Sequence, residues 1–138
     1  MSMHLKNKVE KIERVLAKLV DESSNGKLII VEGKKDIQTL QSLGVSGPIL
    51  TLKTGGKSFL DVIAEIELLG TNEIILLLDF DRRGKEGTKR LKCDLERLKI
   101  RVNVTFWCEL HRLVGHEIQS IESLDTYLKN LHEKTSQM

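Results

Sequence analysis

The sequence predicts an α/β protein: a mostly parallel, four-stranded sheet with helices on both faces and an amphipathic helix at each end. Three observations lead there. The apolar runs Leu28 to Val31 and Ile74 to Leu78 are short, unbroken by polar residues and bounded by turn chemistry, the pattern of parallel strands covered on both faces. Strand-like and helix-like segments alternate strictly, which calls for right-handed crossovers between parallel strands. Both apolar runs also end in acids, Glu32 in Val-Glu-Gly and Asp79 and Asp81 in Asp-Phe-Asp. Strand ends of an open parallel sheet gather at one edge, where ligands bind.

The elements follow in order. Leu5, Val9, Ile12, Leu16 and Leu19 recur at spacings of three and four, a helix over about residues 4–22 that Ser23, Ser24, Asn25 and Gly26 bring to a stop. A strand from Lys27 to Glu32 turns at Gly33 into a helix that Gly44 ends. Pro48 opens a second strand, Ile49 to Leu52, and Gly55-Gly56 leads to a helix from Ser58 to Leu69. The third strand runs from Glu73 to Asp79, followed by a glycine-bearing loop and a basic helix ending near Leu98. In a fourth strand, Arg101 to Phe106, the alternation of Val102, Val104 and Phe106 marks a half-solvated edge. Beyond Trp107 the spacing turns helical, with Leu110, Leu113 and Val114 before Gly115 and Ile121, Leu124, Leu128 and Leu131 after it, giving helical structure over about residues 109–133. With no repeat, linker or low-complexity stretch, residues 1–138 read as one domain. Its terminal helices are expected to pack on the sheet, or to pair with a protein partner or a second copy.

Composition narrows the function classes. A hydrophobic fraction of 40% with 30% charged residues describes a chain that folds around a core and stays in water. Nothing reaches the roughly 18 apolar residues of a membrane span, and Lys6, Lys8 and Glu10 are unlike a secretory signal, so the expected location is the cytoplasm. Cys93 and Cys108 match no zinc spacing and are expected as free thiols, while His4, His111, His116 and His132 are scattered. Net charge is only +2, yet Arg82, Arg83, Lys85, Lys89, Arg90 and Lys92 crowd one stretch against Glu86 alone. Such a stretch attracts a phosphate-bearing partner, although it also fits an ordinary solvated helix face.

The acids carry the chemistry. Asp79 and Asp81 are two residues apart, so in extended backbone they face the same side, and Glu32 ends a strand of the same sheet. Three carboxylates at one edge suit a hard divalent cation: Mg²⁺ takes such oxygens and keeps waters for substrate phosphates, with Mn²⁺ its close substitute. Arg82 is the favoured phosphate contact, since a guanidinium engages two oxygens at once; Arg83 stands beside it and Lys34 beside Glu32. Lys53, at the end of the second strand, enters the same edge. Helix-capping roles would also explain Glu32 and Asp79 individually.

Val-Glu-Gly-Lys-Lys-Asp from Val31, the later Asp-Phe-Asp-Arg-Arg-Gly from Asp79, and Gly87 three residues beyond resemble the Toprim domain. That module is shared by topoisomerases, bacterial-type primases, OLD-family nucleases and the ribosomal RNA maturases, and the resemblance covers about Lys27 to Phe106. The motif forms are most similar to those of the maturases and small Toprim proteins. The resemblance implies that Glu32 is a general acid or base, or a metal ligand in a two-metal arrangement, and that Asp79 and Asp81 hold Mg²⁺. It also implies that Gly33 lets the chain turn after Glu32 and that Gly84 and Gly87 let phosphate approach.

Two further motifs belong elsewhere. Thr54-Gly55-Gly56-Lys57-Ser58 has the Gly-Lys-Ser of a nucleotide-binding loop, but the loop would require a glycine where Thr51 stands, so it reads as a turn before a helix. Glu117 and Glu122 are candidates for an additional acidic position, with polar residues around a helix start as the simpler reading. The leading expectation is an Mg²⁺-dependent enzyme acting on the phosphodiesters of RNA or DNA, a nuclease or ribonuclease with a role in RNA processing. The alternative is a non-catalytic nucleic-acid or ribonucleoprotein binding module that acts with a partner. Tyr127, the only tyrosine, lies on a terminal helix, which argues against topoisomerase chemistry, and 138 residues leave no room for a primase's zinc module and extra lobe. Aromatic residues make up only 4% of the chain, and none interleave with basic residues, which favours backbone recognition over base readout.

Overall fold

A computed structural model describes residues 2–52 and 58–136. The elements run α1 Ser2–Ser24, β1 Leu28–Val31, α2 Lys34–Ser42, β2 Ile49–Thr51, α3 Phe59–Leu68, β3 Glu73–Leu77, α4 Arg82–Arg97, β4 Arg101–Asn103 and α5 Thr105–Val114, then a 3-10 turn at Ile121–Ser123 and α6 Leu124–Ser136. The four strands form one parallel sheet in the order β2-β1-β3-β4. The predicted α/β class and the edge position of β4 both hold.

Alternate residues of each central strand feed different layers. Ile29, Val31, Ile75 and Leu77 join α1, α2, α5 and α6 in one apolar cluster, whereas Leu28, Ile30, Ile74 and Leu76 pack with α3 and α4 in the other. Both sides of β1 and β3 are therefore covered, which is why these strands are apolar at every position but Glu73, where β3 begins. The terminal helices share a core cluster with β1 and β3, where Ile12, Leu19, Leu110 and Leu124 are fully buried. No helix among the described residues is long and apolar enough to cross a membrane. Cys93 and Cys108 are exposed free thiols.

Several boundaries differ from the sequence reading. The fourth strand ends at Asn103 rather than Phe106, because the Asn103 carboxamide oxygen accepts the Thr105 N–H at 2.8 Å and turns the chain into α5. Phe106, Trp107, Leu110 and Val114 then form the buried face of a helix, so the alternation through Phe106 was a coincidence of spacing. The glycine-bearing loop expected after β3 is absent as well. Helix α4 starts at Arg82 and contains Gly84 and Gly87, with Asp81 as its N-cap, its carboxylate accepting the Gly84 N–H at 2.8 Å. At α3, Ser58 and Asp61 form a reciprocal capping box, each side chain accepting the other's backbone N–H. Lys53 and the Thr54-Gly55-Gly56-Lys57 stretch lie outside the described residues.

Candidate functional site

From β1 the chain crosses to β2 on one side, then returns past β1 to β3 on the other. Helix α2, leaving β1, packs on one face, and α4, leaving β3, on the opposite face. The carboxyl ends of β1 and β3 are thus the point where the winding reverses, and a crevice opens there. It is a cleft of about 420 Å³, whose lining includes Glu32, Asp79 and Asp81. The three carboxylates singled out from the sequence do converge on one cavity.

The turn that presents them is held from every side. Asp79 donates its N–H to Glu32 Oε2 at 3.3 Å, joining the two strand exits. The Trp107 indole N–H donates to the carbonyls of Leu78 at 3.0 Å and Asp79 at 3.3 Å. Phe80 donates its N–H to the Gln119 carbonyl at 2.7 Å and buries its ring in the cluster of α1, α2, α5 and α6. With Phe80 pointing into that layer, Asp79 and Asp81 face the other way, into the cleft, as the two-residue spacing predicts. The Trp107 ring stacks on His111 at 4.9 Å between centroids, and Phe80 meets both rings at an angle.

Gly84 completes the support in a way the sequence reading missed. A Cβ at this position would collide with the Asp79 carbonyl, so its lack of a side chain lets the first turn of α4 sit directly on the strand exit. Its role is close packing behind the acids, not an approach for phosphate. Gly33 also departs from expectation: its backbone is extended (φ −150°), which any residue can adopt, and the space around its Cβ is open.

The cationic groups distribute by helix geometry. Because α4 begins at Arg82 without an intervening loop, Arg83, Glu86, Gly87 and Arg90 share one helical face, and all four line the cleft. Arg82, the favoured phosphate contact from the sequence, lies off that face and pairs with Glu86 at 3.2 Å on the surface. Lys34 is exposed in the first turn of α2 and is not part of the lining. Both α2 and α4 start at this edge, so their N-terminal dipole ends add positive potential there.

Asp36 is a residue whose role sequence reasoning missed. It is buried, and its two oxygens accept the N–H groups of Gly33 at 3.1 Å and Glu122 at 2.9 Å. Thr39 donates to the Glu122 carbonyl at 3.1 Å, so both backbone groups of Glu122 are held by α2. Burial pushes the Asp36 carboxyl above its ordinary value; the two N–H donors act in the opposite direction, and the charges of Glu122 and Glu32 reinforce the rise. Glu122 itself is outside the cleft, 3.9 Å from Lys35, and Glu117 pairs with Lys8 at 2.9 Å. Neither lines the cavity, whose fourth acid is Glu86.

The donor set fits a hard divalent cation. Four carboxylates line the cavity, Glu86 on α4 and the three at the strand exits, and Mg²⁺ commonly takes one or two such groups while keeping waters and substrate oxygens. Among the described residues, no three His, Cys, Asp or Glu side chains stand as a ready-made chelating cluster. The hydrogen bonds explain the arrangement in part: Glu32 has an oxygen on the Asp79 N–H and Asp81 has one on the Gly84 N–H.

Comparison with known proteins agrees with this architecture. The Toprim domain family matches residues 27–107. Over 130 residues the chain is 34% identical to a UPF0292 protein of Methanosarcina barkeri, spanning 94% of this chain and 89% of the relative. A UPF0292 protein of Methanocaldococcus jannaschii is 36% identical over 120 residues, 86% of this chain and 91% of the relative. A solved structure of a protein from Aquifex aeolicus superposes with a TM-score of 0.64 at 26% identity, covering 78% of this chain and 94% of that one.

Proposed function

From the premise that this chain belongs to the Toprim domain family and is a UPF0292 protein, we propose that it is an Mg²⁺-dependent enzyme that hydrolyses nucleic-acid phosphodiesters. The observation that carries this reading is the cleft at the β1/β3 reversal, where Glu32, Asp79 and Asp81 face Arg83 and Arg90. Acids beside guanidinium groups suit a bound phosphate bridged by a cation.

In this reading Asp79 and Asp81 hold the ion, with Mn²⁺ able to replace Mg²⁺, and Glu32 acts as a further ligand or as the group that moves a proton at the attacking or leaving oxygen. The bound cation supplies Lewis-acid stabilisation of charge developing on the phosphate and a water of lowered pKa. Arg83 binds the phosphate oxygens and orients the strand. Trp107, Phe80 and Gly84 are positioning residues: they fix the backbone of the Asp79-Phe80-Asp81 turn before any substrate arrives.

The test is incubation of the purified protein with labelled single-stranded, duplex and structured RNA and DNA in Mg²⁺, Mn²⁺ or EDTA, together with Asp81→Asn. Asparagine keeps the helix cap that alanine would remove, so lost cleavage reports on the charge rather than on the fold. Cutting that needs the metal and disappears in the variant is the expected result. Binding without cutting under every metal condition would replace the enzyme with a binding module.

A further inference from the structure

The cleft is more than a phosphate site. Its lining also has an apolar part, made by Leu52, Phe59, Val62 and Leu78. A sugar-phosphate backbone has little use for such a surface, whereas a nucleobase has a hydrophobic π face to bury. One aromatic ring is at hand: the ring centre of Phe59, at the start of α3, lies 4.9 Å from the guanidinium carbon of Arg90 on α4.

This contact holds the guanidinium of Arg90 in place: its carbon lies over the Phe59 ring and its Nε stands 3.9 Å from Asp94 Oδ2, one turn along the helix, while the side chain keeps 68% of its surface exposed. Guanidinium planes stack on bases as aromatic rings do, and one backed by a ring loses little freedom in doing so. The acids line the same cavity of about 420 Å³, so a base on this plane would belong to the nucleotide carrying the phosphate at the acids or to its neighbour.

We infer that Arg90, backed by Phe59, is a stacking platform for one unpaired nucleobase, and that the substrate class is therefore single-stranded or locally unpaired nucleic acid. A base inside a duplex is already stacked on both faces and cannot occupy the platform without being extruded. This inference rests on the nucleic-acid reading above and gives that reading a strand preference.

The test is equilibrium binding of the full chain to a fluorescently labelled DNA dodecamer and to a strand of equal length in which every base is replaced by an abasic sugar, both in Ca²⁺. The wild-type protein is expected to bind the base-bearing strand about tenfold more tightly than the abasic one. Arg90→Lys keeps the charge but not the plane, so it should bring that ratio close to one while leaving abasic binding within about twofold. Phe59→Leu, which retains an apolar side chain, should act in the same direction. A wild-type ratio near one, or a ratio retained in both variants, overturns the platform while leaving the nucleic-acid reading standing. Failure of the wild-type protein to bind either strand, and an RNA dodecamer of the same sequence as well, overturns both.

Discussion

Glu32 accepts the backbone N–H of Asp79 at 3.3 Å, so the acid ending β1 is anchored to the acid-bearing exit of the strand beside it. One carboxylate thereby serves both the fold and the cavity. Glutamine keeps an acceptor oxygen for that N–H, whereas alanine removes it. Glu32→Gln should therefore unfold within about 0.5 kcal/mol of wild type, and Glu32→Ala should lose about 1–2 kcal/mol. Urea denaturation of the pair checks this, and equal stability of the two variants would show that the bond contributes nothing. Both should lack metal-dependent cleavage.

The two glycines of α4 should respond in opposite ways. At Gly84 an added methyl meets the Asp79 carbonyl, a backbone atom that cannot move without disturbing the acids. Gly84→Ala is expected to cost about 2–4 kcal/mol and to impair the site. At Gly87 the nearest atom to an added methyl is Leu78 Cδ1 at 3.4 Å, the tip of a side chain that can give way. There, alanine gains helix propensity, and Gly87→Ala should leave stability unchanged or raise it by up to about 1 kcal/mol. Thermal melts of the two variants decide the matter; similar melting points would contradict the packing described.

Asp36 gives the chain a pH signature. Its carboxyl is raised above the ordinary 3.8 chiefly by burial, so the native state binds this proton more tightly than the unfolded chain does. The stabilisation from that proton is fully present below 3.8 and is lost as pH rises through the raised value. Asparagine does not titrate, and it offers one oxygen to the two N–H groups of Gly33 and Glu122. Asp36→Asn should cost about 1 kcal/mol at neutral pH. The gap between wild type and variant should widen as pH falls toward 3.8, measured by urea unfolding across that range. A gap that narrows or stays constant would contradict the assignment.

What was legible in the sequence follows from how local each feature is. Leu28 to Val31 and Ile74 to Leu78 announced buried strands because helices cover both faces of the sheet, leaving no position for a polar residue. Glu32, Asp79 and Asp81 were found because acids at strand ends have a place implied by topology alone. The supports of the site were not legible. Trp107 reaches the Leu78 carbonyl across 29 positions and Asp36 reaches Glu122 across 86, and neither contact leaves a mark in its neighbourhood of the chain. The choice of arginine depended on one boundary: with a loop after Asp81, Arg82 would have been free to enter the edge, but the cap at Asp81 starts α4 at once and turns Arg83 and Arg90 inward. Phe59 and Arg90 come from different helices, so a search for interleaved aromatic and basic residues could not pair them.

If the acids of the β1/β3 cleft hold a divalent cation against a nucleic-acid phosphate, Mn²⁺ should bind there and be visible by electron paramagnetic resonance, with the protein titrated in the presence of a cleavage-resistant single-stranded oligonucleotide. Wild type, Asp79→Asn and Asp81→Asn are compared, with Arg97→Gln, at the far end of α4, as the control. Bound Mn²⁺ is expected in wild type and in the control, with affinity reduced at least about tenfold in each Asp variant, because an amide replaces a carboxylate ligand. Equal Mn²⁺ binding in all four proteins would contradict it.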